Sequence, residues 1–167
     1  IYTKKFRYAC EHANHIIAIS QQTKEDIVSF YQIDPAHISV CYQSCHPAFG
    51  LAVPNEMKEK LRALYQLPPA YLLYVGSIIE RKNLLNICKA LALLKGVVSL
   101  PLVVIGKGGA YKRKVEAYLQ EQGLAQQVIF LSYQKGQRLE GVHFPAIYQM
   151  AAMLIYPSHF EGFGIPV

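Results

Sequence analysis

The chain has only two aspartates, Asp26 and Asp34, far apart in sequence, so an Asp-x-Asp metal motif has nothing to be built from. Its six histidines show no metal-ligand spacing, and His143 and His159 read as ordinary loop residues. No metal and no cofactor is expected. Cysteine is sparse too: four residues, at 10, 41, 45 and 88, with Cys41/Cys45 as the close pair and neither zinc-finger nor thioredoxin spacing. They read as free thiols in a reducing compartment. Charged residues make up 17% against 52% hydrophobic, which excludes a solvated disordered tail. The longest apolar stretch, near Val97 to Ile105, falls well short of the ~20 residues a membrane span needs. No basic-then-apolar leader opens the chain, so nothing argues for secretion, and the start at Ile1 reads as a cut from something longer. Ser20 has no acid–base pair near it in sequence for nucleophilic catalysis.

What is present is a chain of 167 residues, enough for one ordinary domain or one and a half small ones, with net charge +6 and pI near 9.1. That balance favours anionic partners: nucleic acid, an acidic membrane surface or phosphorylated small molecules. The cations are scattered in small groups (Lys4, Lys5, Arg7; Arg81, Lys82; Lys112, Arg113, Lys114), and aromatic-interleaved RNA-binding signatures are missing. Nucleic acid is therefore not expected as a partner.

Hydrophobic spacing divides the chain into alternating elements. A helix is expected over 3–14 and a buried strand at His15–Ile19. Thr23 with Asp26 resembles a capping box opening a helix to about Tyr31. After the turn Ile33-Asp34-Pro35, Ile38–Tyr42 reads as a second strand, which completes a strand–helix–strand unit of a parallel sheet. From Gln43 to Val53 periodicity is lost, as in a linker, and a short helix follows at about Glu56–Tyr65. A new series then begins: strand Tyr71–Val75, a helix capped by Asn83, strand Leu102–Ile105, a helix over 111–122 stopped by Gly123, strand Val128–Leu131, a helix over 144–150 and strand Met153–Tyr156. The fold class is α/β, a Rossmann-like doubly wound parallel sheet. The expected organisation is 1–50 as the end of one Rossmann-like domain plus a crossing, 51–69 as linker and short helix, and 70–167 as a second Rossmann-like domain lacking its last elements.

In open parallel sheets ligands bind outside the carboxyl ends of the strands. After the first strand of the second series comes Gly76-Ser77-Ile78-Ile79-Glu80-Arg81-Lys82-Asn83. Gly76 admits a ligand close to the backbone, and Arg81 with Lys82 brings two cations to the start of the next helix, where free N–H groups already favour phosphate. A diphosphate fits; so does a plain solvated basic turn. After the next strand, Gly106-Lys107-Gly108-Gly109 resembles a phosphate loop without matching G-x-G-x-x-G or a Walker loop. After the last strand, Pro157-Ser158-His159-Phe160-Glu161-Gly162-Phe163-Gly164-Ile165-Pro166-Val167 sets a carboxylate beside two glycines, a mixture of acceptor and backbone donors suited to a sugar next to a phosphate. Glu161 as a simple exposed loop acid is the alternative. Because all three loops fall on one sheet edge, an anion plus a polyol in one crevice is the favoured reading. The 12 tyrosines read mostly as core or surface packing, with Tyr133, just after a strand, as a candidate to face a nucleobase.

These same stretches carry a resemblance. Tyr74-Val-Gly-Ser-Ile-Ile-Glu-Arg-Lys-Asn83, Leu-Val-Val-Ile-Gly106, Val-Ile-Phe-Leu131 and Tyr156-Pro-Ser-His-Phe-Glu-Gly-Phe-Gly-Ile-Pro-Val167 resemble, in order and spacing, the donor-binding domain of family-four retaining glycosyltransferases with the GT-B fold. Ala13-Asn14-His15-Ile-Ile-Ala-Ile-Ser20 and Thr23-Lys24-Glu25-Asp26-Ile27 are similar to the end of that family's N-terminal domain. The common crossing pattern Asn-Gly-Val/Ile-Asp is replaced here by Gln43-Ser44-Cys45-His46.

The resemblance implies roles for individual residues. Arg81 and Lys82 would hold and stabilise the departing diphosphate, and Gly76 would lie near the cleft. Glu161 would be the first acid of an E-x7-E motif touching the transferred sugar, its second acid falling just past Val167. Backbone amides from Gly162, Phe163, Gly164 and Ile165 would meet sugar hydroxyls and phosphate. Tyr133 and Gln134 would lie by the base, and Gly106 in the second loop would face the ligand. The implied donor is a UDP-, GDP- or ADP-sugar and the acceptor a glycan or lipid. The implied location is cytoplasmic, with a peripheral position on an anionic inner membrane surface as an option. This stretch alone is expected to bind rather than catalyse, and to self-associate through uncovered apolar surface. The rival reading is a non-catalytic nucleotide-binding or interaction module, a remnant.

Overall fold

A computed structural model describes residues 2–131, 139–164 and 166 of the chain. Two compact units emerge: the chain up to Cys45 together with a short segment from Glu161, and His46–Phe160.

In the first unit, helix α1 (Tyr2–His12) leads into strand β1 (Ile16–Ala18), helix α2 (Gln21–Tyr31) and strand β2 (Ile38–Val40). The two strands pair in parallel, Ile16 opposite Ile38 and Ala18 opposite Val40. Alternation decides which side chains are buried: Ala18 and Ile38 are buried, whereas Ile17, pointing the other way, is 70% exposed. The start of α2 differs from the capping box expected at Thr23 and Asp26. Ser20, held in extended backbone geometry (φ −155°, ψ 164°), is the residue whose hydroxyl oxygen accepts the Thr23 amide N–H at 3.1 Å. A cap must precede the first helical residue in non-helical geometry, and Thr23 already lies inside the helix.

In the second unit, helix α3 (Asn55–Tyr65) precedes strand β3 (Leu72–Val75), helix α4 (Leu84–Leu93), strand β4 (Leu102–Ile105), helix α5 (Ala110–Glu121), strand β5 (Val128–Phe130), helix α6 (Phe144–Met150) and strand β6 (Met153–Leu154). The four strands form one parallel sheet in the order β5-β4-β3-β6. Strands buried on both faces carry continuous apolar runs. Accordingly Leu72, Tyr74, Leu102 and Val104 pack with α4 and α5 residues on one face, while Leu73, Val103 and Ile105 pack with α3 and α6 residues on the other. The doubly wound parallel architecture expected from the sequence is thus present.

Several edges differ from the expected ones. Strand β6 ends at Leu154, although the Ile155 amide still donates to the Leu73 carbonyl at 2.8 Å. Arg81 and Lys82 do not stand on the first turn of α4; they occupy a separate 3-10 turn, Glu80–Lys82, ahead of it. Asn83 sits in the cap position in left-handed geometry (φ 61°), but its side chain makes no cap bond. The stretch read as a linker is partly ordered: a 3-10 turn spans Pro47–Gly50, and the Gln149 side chain grips both the Val53 amide and the Leu51 carbonyl. Among the described residues, no helix is long and apolar enough to cross a membrane.

Candidate functional site

The strand order fixes where a ligand has room. From β3 the chain steps to β4 and β5 on one side, then returns to place β6 on the other. Successive connections therefore leave the sheet in opposite directions at the β3/β6 pair, and a crevice opens at such a switch point.

The loops leaving those two strands are clasped together. Lys82 Nζ donates to the Tyr156 hydroxyl, Asn83 Nδ2 to the Pro157 carbonyl at 3.2 Å, and the His159 amide to the Arg81 carbonyl at 2.9 Å. The Arg81 guanidinium donates to the Phe160 carbonyl. Using its side chain across the loops is why Asn83 caps nothing; the first turn of α4 instead receives the Tyr111 hydroxyl, which accepts from the Leu85 amide at 3.1 Å. Two cations separated by more than seventy residues from their partners are thereby held on one sheet edge.

Gly76 and Gly106 are glycines for packing reasons. Gly76 has φ +155°, and a Cβ there would stand 3.1 Å from Lys82 Cδ. A Cβ on Gly106 would fall 1.8 Å from the Gly76 carbonyl oxygen, an impossible overlap. The β3 and β4 loops meet backbone to backbone, with the Gly76 amide donating to the Ile105 carbonyl and the Ile78 amide to the Lys107 carbonyl. Beside them lies a cavity of about 300 Å³ whose walls include Gly76, Ser77, Gly106, Lys107, Leu139 and Phe144. Its lining combines apolar walls with backbone polar groups, the character of a small-molecule site.

The structure brings Gly76, Arg81, Lys82 and Gly106 together on one edge of the second unit. Glu161, Gly162, Phe163 and Gly164 belong to the first unit, where the Thr23 hydroxyl donates to the Gly162 carbonyl at 3.3 Å and the Phe163 ring lies 6.0 Å from that of Tyr42. Tyr133, Gln134 and Ile165 lie outside the described residues. Tyr156, Asn83 and His159 escaped notice as members of the site. Their one sequence signal was position: Tyr156 stands at the carboxyl end of the strand that neighbours β3. Among the described residues, no three of His, Cys, Asp and Glu cluster as metal ligands.

Comparison with known proteins follows the same residues. The family model described as glycosyl transferases group 1 matches residues 57–167. O-antigen chain mannosyltransferase B of Escherichia coli is 28% identical over 167 residues, covering 98% of this chain and 42% of its own length. O-antigen chain mannosyltransferase RfbU of Salmonella typhimurium is 26% identical over 160 residues, covering 96% and 40%. This chain thus spans about two fifths of the length of these curated relatives. Among solved structures, WaaG, a glycosyltransferase involved in lipopolysaccharide biosynthesis, superposes with TM-score 0.72 at 23% identity over 90% of this chain and 40% of that one. Anabaena HepE in complex with UDP and glucose superposes with TM-score 0.75 at 17% identity, over 93% and 41%.

Proposed function

The chain belongs to the glycosyl transferases group 1 family, and from that premise we propose that it forms the donor-gripping part of an enzyme that transfers a sugar, with retention of anomeric configuration, from a nucleotide-diphosphate sugar to a glycan or lipid acceptor. The observation that carries this reading is the clasp at the switch point, which holds Arg81 and Lys82 on the carboxyl edge of the sheet with the Lys82 stem against the Gly76 backbone. An edge with two cations and a close-approaching backbone suits a diphosphate. HepE, of the same fold, has been crystallised with UDP, in support of a nucleotide ligand here.

In this mechanism the diphosphate gains negative charge as the glycosidic bond to it breaks. Arg81 and Lys82, already held in place, stabilise that charge without reorganising. Glu161 is assigned to hydroxyls of the transferred sugar, with the amides of Gly162, Phe163 and Gly164 as further donors. The base takes the cavity walled by Leu139 and Phe144. Gly106 serves by leaving room for Gly76. The names of the curated relatives make a mannose donor the first to try.

Calorimetric titration of the chain with UDP, GDP and ADP tests the reading, with Arg81→Ala/Lys82→Ala as control. Saturable binding by one nucleotide, lost in the control while the fold persists, is the expected result. Binding undiminished in the control would remove the diphosphate from this edge.

A further inference from the structure

Lysine is a poor fixed point. Its four-carbon stem has many rotamers to lose, and an ammonium that must meet a phosphate has to be brought to one place before the ligand arrives. In this structure one aromatic side chain supplies the constraint. Lys82 Nζ donates to the Tyr156 hydroxyl and also lies 4.8 Å from the centroid of the Tyr156 ring. The stem, meanwhile, runs across Gly76, close enough that a Cβ there would meet Lys82 Cδ at 3.1 Å and Nζ at 3.4 Å. The ammonium thus meets the Tyr156 hydroxyl while the Lys82 stem lies against the Gly76 backbone.

Tyr156 is itself held. Its ring lies 6.4 Å from that of Tyr74, tilted by 35°, and Tyr74 is fully buried with its hydroxyl donating to the Ser77 carbonyl at 3.1 Å. A relay of neighbours thus runs from the core of the sheet through Tyr74 and Tyr156 to Lys82. A phenol suits the last place in this relay, because it accepts a hydrogen bond from an ammonium without contributing a negative charge that would compete with an anionic ligand. A carboxylate in the same position would neutralise the cation.

We infer that Tyr156 is a positioning residue for the donor diphosphate: it presets the Lys82 ammonium over the Gly76 backbone, so that the distal phosphate of a nucleoside diphosphate finds its cation already in place. The inference rests on the diphosphate reading above and adds the residue through which Lys82 acts. Tyr156 touches no phosphate itself, so its loss weakens the gain in affinity that the second phosphate brings and leaves the remainder of nucleotide binding intact.

The experiment measures dissociation constants for UDP and UMP, and for GDP and GMP, on the wild-type chain, Tyr156→Phe, Tyr156→Leu, Lys82→Ala and the double variant Tyr156→Leu/Lys82→Ala. The readout is the diphosphate-to-monophosphate affinity ratio. Tyr156→Phe keeps the ring and loses the hydroxyl, and lowers that ratio about 5-fold. Tyr156→Leu, which removes the hydroxyl and the ring that places it, lowers it at least as far. In the Lys82→Ala background the Tyr156→Leu change has no further effect on the ratio. A general loss of structure would weaken mono- and diphosphate alike and leave the ratio unmoved, and a thermal melt of each variant identifies it. A Tyr156→Leu protein that melts as a folded chain with an unchanged ratio overturns the inference, as does an equal loss in the Lys82→Ala background. If Lys82→Ala itself leaves the ratio unchanged, or the wild type binds no diphosphate, the underlying reading falls and this inference with it.

Discussion

At position 106 the space available to a side chain is less than one carbon. Alanine there would drive its Cβ into the Gly76 carbonyl oxygen, which is backbone and can yield only by moving the β3 loop. Gly106→Ala is expected to lower stability by roughly 1–3 kcal/mol, as overpacking does. It should also weaken nucleotide binding, since Gly76 and the Lys82 stem shift together. Urea unfolding and titration of the same variant check both, and an unchanged midpoint with unchanged affinity would contradict the packing account. The sequence marked Gly76 and Gly106 as residues of interest because each follows a strand. It offered no means of telling a glycine that makes room for a ligand from one that makes room for a neighbouring loop, because the close approach is between residues thirty apart. The same holds for Tyr156: strand position flagged it only weakly, and its partnership with Lys82 spans 74 residues.

The elements were legible where periodicity alone decides them and less so where a single side-chain bond does. Apolar runs such as Leu102–Ile105 admit hardly any other reading, and all four strands of the second sheet fall within their expected runs, with β3, β5 and β6 shorter than expected. The start of α2 was misjudged because both Ser20 and Thr23 are cap residues by type, and only backbone geometry selects between them. Ser20→Ala is expected to cost about 1 kcal/mol, whereas Asp26→Ala, which removes no cap, should leave the unfolding midpoint of the chain nearly unaltered. A larger loss for Asp26→Ala than for Ser20→Ala would restore the capping-box reading. Asn83 is a similar case: its type and place both announce a cap, yet its amide is engaged by the Pro157 carbonyl. A tertiary demand overrides the local one at the point where the two loops are joined.

Across the molecule, the core of the second unit carries two groups whose burial makes stability sensitive to alkali. Tyr71 sits on one face of the sheet, its hydroxyl donating to the Ile147 carbonyl at 2.7 Å, and Cys88 lies on the other. Burial pushes both up to about 12, from ordinary values of 10.0 and 9.0. Both keep their protons more tightly when folded, so from about pH 9 to 12 the unfolded chain releases protons that the folded chain retains. Stability is fully present below that range and falls as pH rises through it, by a few kcal/mol on the order of the shifts involved. The urea midpoint should therefore be lower at pH 11 than at pH 8, and part of the difference should vanish in Cys88→Ala. An identical midpoint at the two pH values would contradict it. An apolar groove of about 440 Å³ lies beside α4, bordered by Ile87, Leu91, Met153 and Ile155.

The clasp between the two loops also has a consequence in time. Lys82 is synthesised 74 residues ahead of Tyr156, and Arg81 79 residues ahead of Phe160. At a ribosomal pace of about 5–20 residues per second, the loop bearing both cations waits on the order of 4–15 seconds for its counterpart. During that interval β3, β4 and β5 can already form a sheet, but the edge that carries Arg81 and Lys82 has no second wall. A nascent chain at that stage can hold much of its sheet without the clasp; under the proposed reading, nucleotide in the surrounding solution stabilises it only once strand β6 and the residues after it have emerged.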